Sequence, residues 1–364
     1  MLIDIVSVTP PYKVAQSVAA EELKKRMGNR PAVSRMIDAA SAHSGIESRY
    51  IVMPDADPNA ANKFYSINGE YVSPDTQRRM SEYEHWSKKL TVNAVGDLIK
   101  KNNVDPKSID RLITISCTGF FAPGLDYHLI QEFQIPHNVK RTNIGFMGCA
   151  ASLIGFNSVL EAMNSAHRGS SNALLVSVEL CSLHLQTEPT RDNILANMIF
   201  ADGCAAALFS TSDSNSLKPR FEMLNTSSFL FDNSSTFMGW KIGNFGFEMT
   251  LSPELPKIIL ESAIPALENI LRANDLTKEK IKHWALHPGG RAILDSLQKG
   301  LSLTEEQMQP SRKVLKNFGN MSSASILFVL KEIMDSQIVK PGEHLCAVAF
   351  GPGLTMEVAL LKGV

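Results

Sequence analysis

The sequence predicts an α/β fold built from two similar halves, and three observations lead there. Apolar runs of strand length alternate along the chain with segments of helical period. One set of landmarks recurs at a nearly constant offset. The 364 residues also exceed what one ordinary domain needs. Strand–helix alternation implies largely parallel sheets with helices on both faces.

In chain order, MLIDIVSVTPPY starts apolar, lacks a basic lead and meets Asp4 at once, so it reads as a buried first strand rather than a signal peptide. Further strand-length runs occupy 111–116 (RLITIS), 173–178 (ALLVSV), 205–209 (AAALF), 284–286 (WAL), 345–350 (LCAVAF) and 355–361 (TMEVALL). Helical spacing is explicit in 150–166, where Leu153, Phe156, Leu160 and Met163 recur every three or four residues. Ile326, Val329, Leu330 and Ile333 repeat it in 322–334. Residues 211–239, rich in Ser, Asn and Asp, read as a surface excursion between the halves.

The repeat rests on three landmarks. Ile109, in the lead-in Val104–Leu112, matches Ile281 in Leu276–Trp284, 172 residues on. Gly148-Cys149 before the small-residue helix AASLIGF matches Gly319-Asn320 before MSSASIL, 171 residues on, and Gly169 matches Gly342 at 173. Duplication places one unit at 1–225, carrying Cys149, and a second at 226–364, carrying His287 and Asn320. The first holds about 20 extra residues (181–200), a natural place for substrate contacts.

Composition excludes several classes. With 36 basic against 37 acidic side chains the formal charge is −1, so no cationic field for nucleic acid exists. An apolar share of 44% rules out a disordered tail or a collagen-like rod. The five cysteines (117, 149, 181, 204, 346) are odd in number, form no CxxC pair and have no His at zinc spacing. No disulfide framework or metal site is expected, and a reducing cytoplasm fits. No apolar run long enough for a membrane span occurs.

Three side chains stand where chemistry is needed. Cys149 opens a helix after a Gly and before Ala150-Ala151; the helix dipole there lowers a thiol pKa, and free backbone N–H groups can hold an oxyanion. Read alone, Cys149 is an inert buried thiol, and the duplication and its small neighbours reverse that reading. His287 ends a short strand before the turn Pro288-Gly289-Gly290, so its imidazole projects with little bulk around it; a core histidine held by one backbone bond is the alternative. Asn320 reads equally as the N-cap of its helix. The other histidines, His184 among them, show no partner pattern and read as surface or packing residues.

The phrases GFMGCAAS, IFADGCAAALF, WALHPGGRAILD, NFGNMSSASILFVL and AFGPGLTMEVALL resemble the type III polyketide synthases, the chalcone-synthase-like enzymes, from about Val6 to Leu361. The resemblance implies a thiolase-type αβαβα fold, a homodimer, a Cys149–His287–Asn320 triad and no bound cofactor, with CoA thioesters as substrates. It makes Phe200 a gatekeeper, with Met249 or Phe247 as the second, and lines the pocket with Cys117, Thr118, His184, Ala196, Gly239 and Ser322. Where plant members carry CoA-binding basic residues, this chain has Met36, Ala39 and His43, leaving Arg49 with Arg35 nearby; the starter then arrives on CoA or on an acyl carrier protein. Ser116–Asp126 is closer to bacterial alkylpyrone and alkylresorcinol synthases, which implies a fatty acyl starter extended with malonyl-CoA and cyclised to a pyrone or resorcinol. Ketoacyl synthase III is the nearest competitor. Hydroxymethylglutaryl-CoA synthase needs a catalytic Glu without a clear place here, and a non-catalytic acyl-binding scaffold is the remaining alternative.

Overall fold

The computed structural model describes residues 1–57, 60, 63–164, 171–211 and 217–364, so the Gly169 landmark and part of the 211–239 segment lie outside the described residues. Its central sheet shows the duplication as a repeated pairing rule. In the first half Ile109–Ser116 runs parallel to Asn172–Leu180, which is antiparallel to Asp202–Ser210, itself antiparallel to Leu2–Val8. In the second, Ile281–Leu286 runs parallel to His344–Gly351, then Thr355–Gly363 and Phe221–Leu230 follow antiparallel. The halves join at Leu2 opposite Phe221. Lys140–Gly145 adds a parallel edge to the first half.

Side-chain alternation along the strands then builds five layers. Ala173 and Leu175 share one core with Ala285, Ala347 and Ala359 of the other half. Between them lie Leu153, Phe156 and Val159 of the helix Ala151–Asn164 and Ile326, Val329 and Leu330 of the helix Ser325–Ser336. Leu174, Val176 and Val178 face outward onto Leu90, Val95 and Leu98 of the helix Thr76–Asn102. Val348 and Leu360 face outward onto Leu267, Leu294 and Leu297. The order is helix, sheet, helix, sheet, helix: the expected thiolase-type αβαβα fold. The first turns of both middle-layer helices are buried nearly all round, Ala151–Phe156 in one and Ser325–Leu330 in the other, as sandwiching between two sheets requires, while their last turns become polar.

One expectation fails. The segment 211–239 is not a surface excursion throughout, because Phe221–Leu230 is a strand of the main sheet. Its polar run Asn225-Thr-Ser-Ser228 hides the apolar pattern. The expected boundary at 225/226 falls inside that strand. After it, Met238–Gly243 and Gly246–Leu251 form a hairpin that reaches toward Cys149. No helix among the described residues is long and apolar enough to cross a membrane.

Candidate active site

The two halves bring their helix starts together. Cys149 sits in the turn Gly148–Ala150 that leads into Ala151–Asn164, and Ser322–Ala324 leads likewise into Ser325–Ser336. Gly148 has φ +62, and a Cβ there would lie 2.3 Å from Pro352 Cδ. Gly319 has φ +70, and a Cβ would lie 3.0 Å from Ile199 O. Each glycine therefore lets a turn fold tightly against a neighbouring segment while presenting the next side chain.

Cys149 Sγ lies 4.0 Å from the Asn320 amide and 3.7 Å from Ser322 Oγ. The two readings of Asn320 prove compatible. Its Oδ1 accepts from Ser322 N–H at 2.8 Å, an Asx-type turn. That bond fixes the amide so that Nδ2 donates to Gly289 O at 3.3 Å and faces the sulfur. His287 approaches through the same glycine, whose N–H donates to His287 O at 2.9 Å. Its ring is buried, and neither nitrogen has a hydrogen-bond partner among the described residues.

Electrostatics here correct the expectation of a thiolate favoured by the helix start. Burial pushes the Cys149 thiol up to about 12, with Ser322 and Asn320 pulling the other way. Burial likewise brings His287 down to about 3. Each charge alone is costly in this pocket.

A small cavity of ≈ 30 Å³ lies at Cys149, bordered by Cys117, Thr118, Gly239, Phe200, Met249 and Ser322. A larger one of ≈ 520 Å³ takes in Ala196, His184 and Phe247 and extends beneath the helix Gln16–Arg26. Phe200 and Met249 border both, whereas Phe247 borders only the larger, so Met249 stands at the partition. Phe247 is instead a wall stone: its ring stacks 4.1 Å from His184. His184 is no surface residue. Its Nδ1 accepts from Phe247 N–H at 3.0 Å, so the proton sits on Nε2, which donates to Thr118 O at 2.7 Å.

Arg49 borders the larger cavity with its guanidinium engaged by backbone carbonyls. It is 4% exposed, and Nη1 donates to Asn197 O at 2.6 Å and Phe200 O at 2.8 Å. Of the positions where plant members carry cations, Met36 is exposed and apolar.

Sequence reasoning missed three neighbours. Cys181 and Trp240 also border both cavities, and Trp240 Nε1 donates to Cys117 O at 2.7 Å. Glu179, fully buried, accepts from Cys117 N–H at 3.0 Å, from Thr118 Oγ1 at 2.7 Å and from Ser323 Oγ. Burial raises its pKa. The signal available was its place at the end of an otherwise apolar strand, VSVEL.

Residues 222–364 match the family model for chalcone and stilbene synthases, C-terminal domain, and residues 65–228 match that for FAE1/type III polyketide synthase-like proteins. The crystal structure of PKS-I from the brown alga Ectocarpus siliculosus superposes with a TM-score of 0.92 at 30% identity, covering 100% of this chain and 99% of that one. Polyketide synthase 37 of Dictyostelium discoideum is 29% identical over 100% of this chain, which spans only 12% of that protein's length. The alpha-pyrone synthesis polyketide synthase-like Pks18 of Mycobacterium tuberculosis is 32% identical over 68% of this chain and 64% of its own. By motif, by layer order and by these matches, the chain belongs to the type III polyketide synthase family.

Proposed function

We propose that this protein condenses malonyl-CoA with an acyl starter by decarboxylative Claisen chemistry, and that the starter is a fatty acyl group. The observation that carries the reading is the Asn320 amide held 4.0 Å from Cys149 Sγ and joined through Gly289 to the buried His287, whose ring has no hydrogen-bond partner among the described residues. Cys149 transfers its proton to His287 and attacks the starter thioester. The C–S bond to CoA breaks, the thiol leaves with the proton from His287, and the acyl group stays on sulfur. Malonyl-CoA then places its thioester oxygen between the His287 Nε2–H tautomer and Asn320 Nδ2. Loss of carbon dioxide leaves an enolate whose oxygen those two donors stabilise. The enolate carbon attacks the Cys149 acyl carbon, and the released thiolate can take up the lengthened chain again. No resident cofactor is required, because the thioesters carry the activation.

The larger cavity supports the fatty starter. At ≈ 520 Å³ it lies beyond Phe200 and Met249 from the sulfur, and Val14, Val18, Leu23, Ile51 and Met53 line it. Its contact with the helix from Ser17 to Arg26 spans about 14 Å at 1.5 Å per residue. Pks18, named for alpha-pyrone synthesis, is among the relatives, and a pyrone or resorcinol is the product proposed here. A homodimer fits the exposed Phe120 and Met147, which flank Phe146 at one edge. Incubation with malonyl-CoA and acyl-CoAs from acetyl to palmitoyl, read by product mass, tests the proposal. Products carrying added two-carbon units from long starters support it; starters returned unextended would sink it.

A further inference from the structure

Phe200 and Asn320, 120 positions apart, are neighbours in an isolated parallel bridge. Ala201 N–H donates to Asn320 O at 2.8 Å, and Asn320 N–H donates to Ile199 O at 3.0 Å. The gatekeeper and the amide donor thus share one short piece of backbone pairing. That piece belongs to no sheet, so its register must be held from outside.

Arg49 holds it. The residue sits on the short strand Ser48–Ile51, opposite Val14. Its guanidinium takes the Asn197 and Phe200 carbonyls, which the end of the helix Arg191–Ile199 leaves free. Its Cβ lies 3.4 Å from where a side chain on Gly319 would begin, so it also packs against the residue before Asn320. Asp202, fully buried, lies in the same region and makes no direct bond to the guanidinium among the described residues. That carboxylate accepts from Ser182 N–H at 2.7 Å and Val52 N–H at 2.8 Å, tying the cavity wall and the strand after Arg49 to the same point.

We propose that Arg49 is a positioning residue for the condensation: it sets the Ile199–Ala201 segment against Asn320 and so holds the amide donor and the Phe200 ring in place together. This rests on the reading of Asn320 as the enolate donor. Without the guanidinium, Phe200 O and Asn197 O lose their donor and the bridge can slide. The Cys149 thiol stands on a separate turn, Gly148–Ala150, to which the guanidinium makes no bond among the described residues. A misplacement of about 1 Å at the donor costs on the order of 100-fold in rate.

The test separates the two half-reactions in Arg49→Gln and Arg49→Lys. Starter loading on Cys149 is read by intact mass, and malonyl-CoA decarboxylation by carbon dioxide release. The expected result is decarboxylation reduced roughly 10–100-fold in kcat with KM little changed and loading within about threefold of wild type. Lys, which presents a point charge rather than a planar fork, recovers only part. In an Asn320→Ala background the Arg49 substitution adds no further loss, because both act on one donor. Unchanged decarboxylation in both variants overturns the inference, as does equal loss of loading and decarboxylation. If Arg49→Gln does not fold, Arg49→Lys carries the same two outcomes. Asn320→Ala alone reports on the parent reading: full decarboxylation there removes the enolate role whatever Arg49 does.

Discussion

Cys149 and Asn320 lie 171 positions apart in the chain and 4.0 Å apart in the fold. Ser152 and Ser323, also 171 apart, are joined by a 2.6 Å bond from Ser152 Oγ to Ser323 O. The pseudo-twofold axis therefore runs between the two helix starts. A duplicated turn supplies a nucleophile from one copy and an amide from the other, each placed by a glycine with positive φ.

The two jobs of Asn320 can be separated. Asn320→Ala removes both the Oδ1 that accepts from Ser322 N–H and the Nδ2 donor. Asn320→Asp keeps the acceptor and removes the donor. Decarboxylation of malonyl-CoA falls by ~100–1,000-fold in both. Stability falls by about 1 kcal/mol in Asn320→Ala, as for a lost cap, and falls in Asn320→Asp as well, because a buried carboxylate oxygen then faces Gly289 O where Nδ2 donated. Starter loading and thermal melts on the two variants check this, and normal malonyl consumption in either would refute the donor role.

The opposed shifts on Cys149 and His287 give a pH signature. Burial holds the thiol up at about 12, so thiolate at neutral pH needs a nearby proton acceptor, the role proposed for the His287 imidazole. In His287→Ala that acceptor is gone. Inactivation by iodoacetamide should then rise about tenfold per pH unit through the alkaline range with no plateau, while the wild type levels off at lower pH. Superimposable profiles for the two proteins would exclude the pairing.

His184 ties acid stability to the cavity wall. Its folded pKa is lowered to about 3 by burial, below the usual 6.5, so the unfolded chain binds the extra proton between those values. The contribution is complete above about 6.5 and is lost as pH falls toward 3. Between pH 6 and 4 the wild type should lose about 1.4 kcal/mol per pH unit more than His184→Gln. Urea melts across that range measure the difference, and parallel curves would mean the ring is already free to protonate.

Much of this is legible in the sequence itself. The offset between Ile109 and Ile281 survives as two strands in equivalent places, because a repeated pairing rule needs repeated apolar runs. Cys149, His287 and Asn320 were readable because each follows or precedes glycines that only a tight turn demands. What stayed hidden was carried by polar residues in buried places. Phe221–Leu230 pairs along its length yet spells NTSS in the middle, and Lys140–Gly145 is a polar edge strand. For Arg49 the sequence gives charge without burial. Its partners, Phe200 O and Asn197 O, are carbonyls, which no side-chain pattern can announce.

Starter length should be set by how much of an alkyl chain the larger cavity removes from water. Each buried methylene is worth about 0.8 kcal/mol, or roughly fourfold in affinity. In the wild type kcat/KM should therefore climb with chain length, about fourfold per added methylene, until the cavity is full, and then flatten. Ala196 borders that cavity from the helix Arg191–Ile199 and does not border the small one at Cys149. Ala196→Phe fills space along the alkyl path without touching the sulfur, so the climb should stop at a shorter acyl-CoA while acetyl-CoA is used as before. Kinetics over an acyl-CoA series locate the break. A break unmoved by Ala196→Phe would mean that the chain takes another route from Cys149.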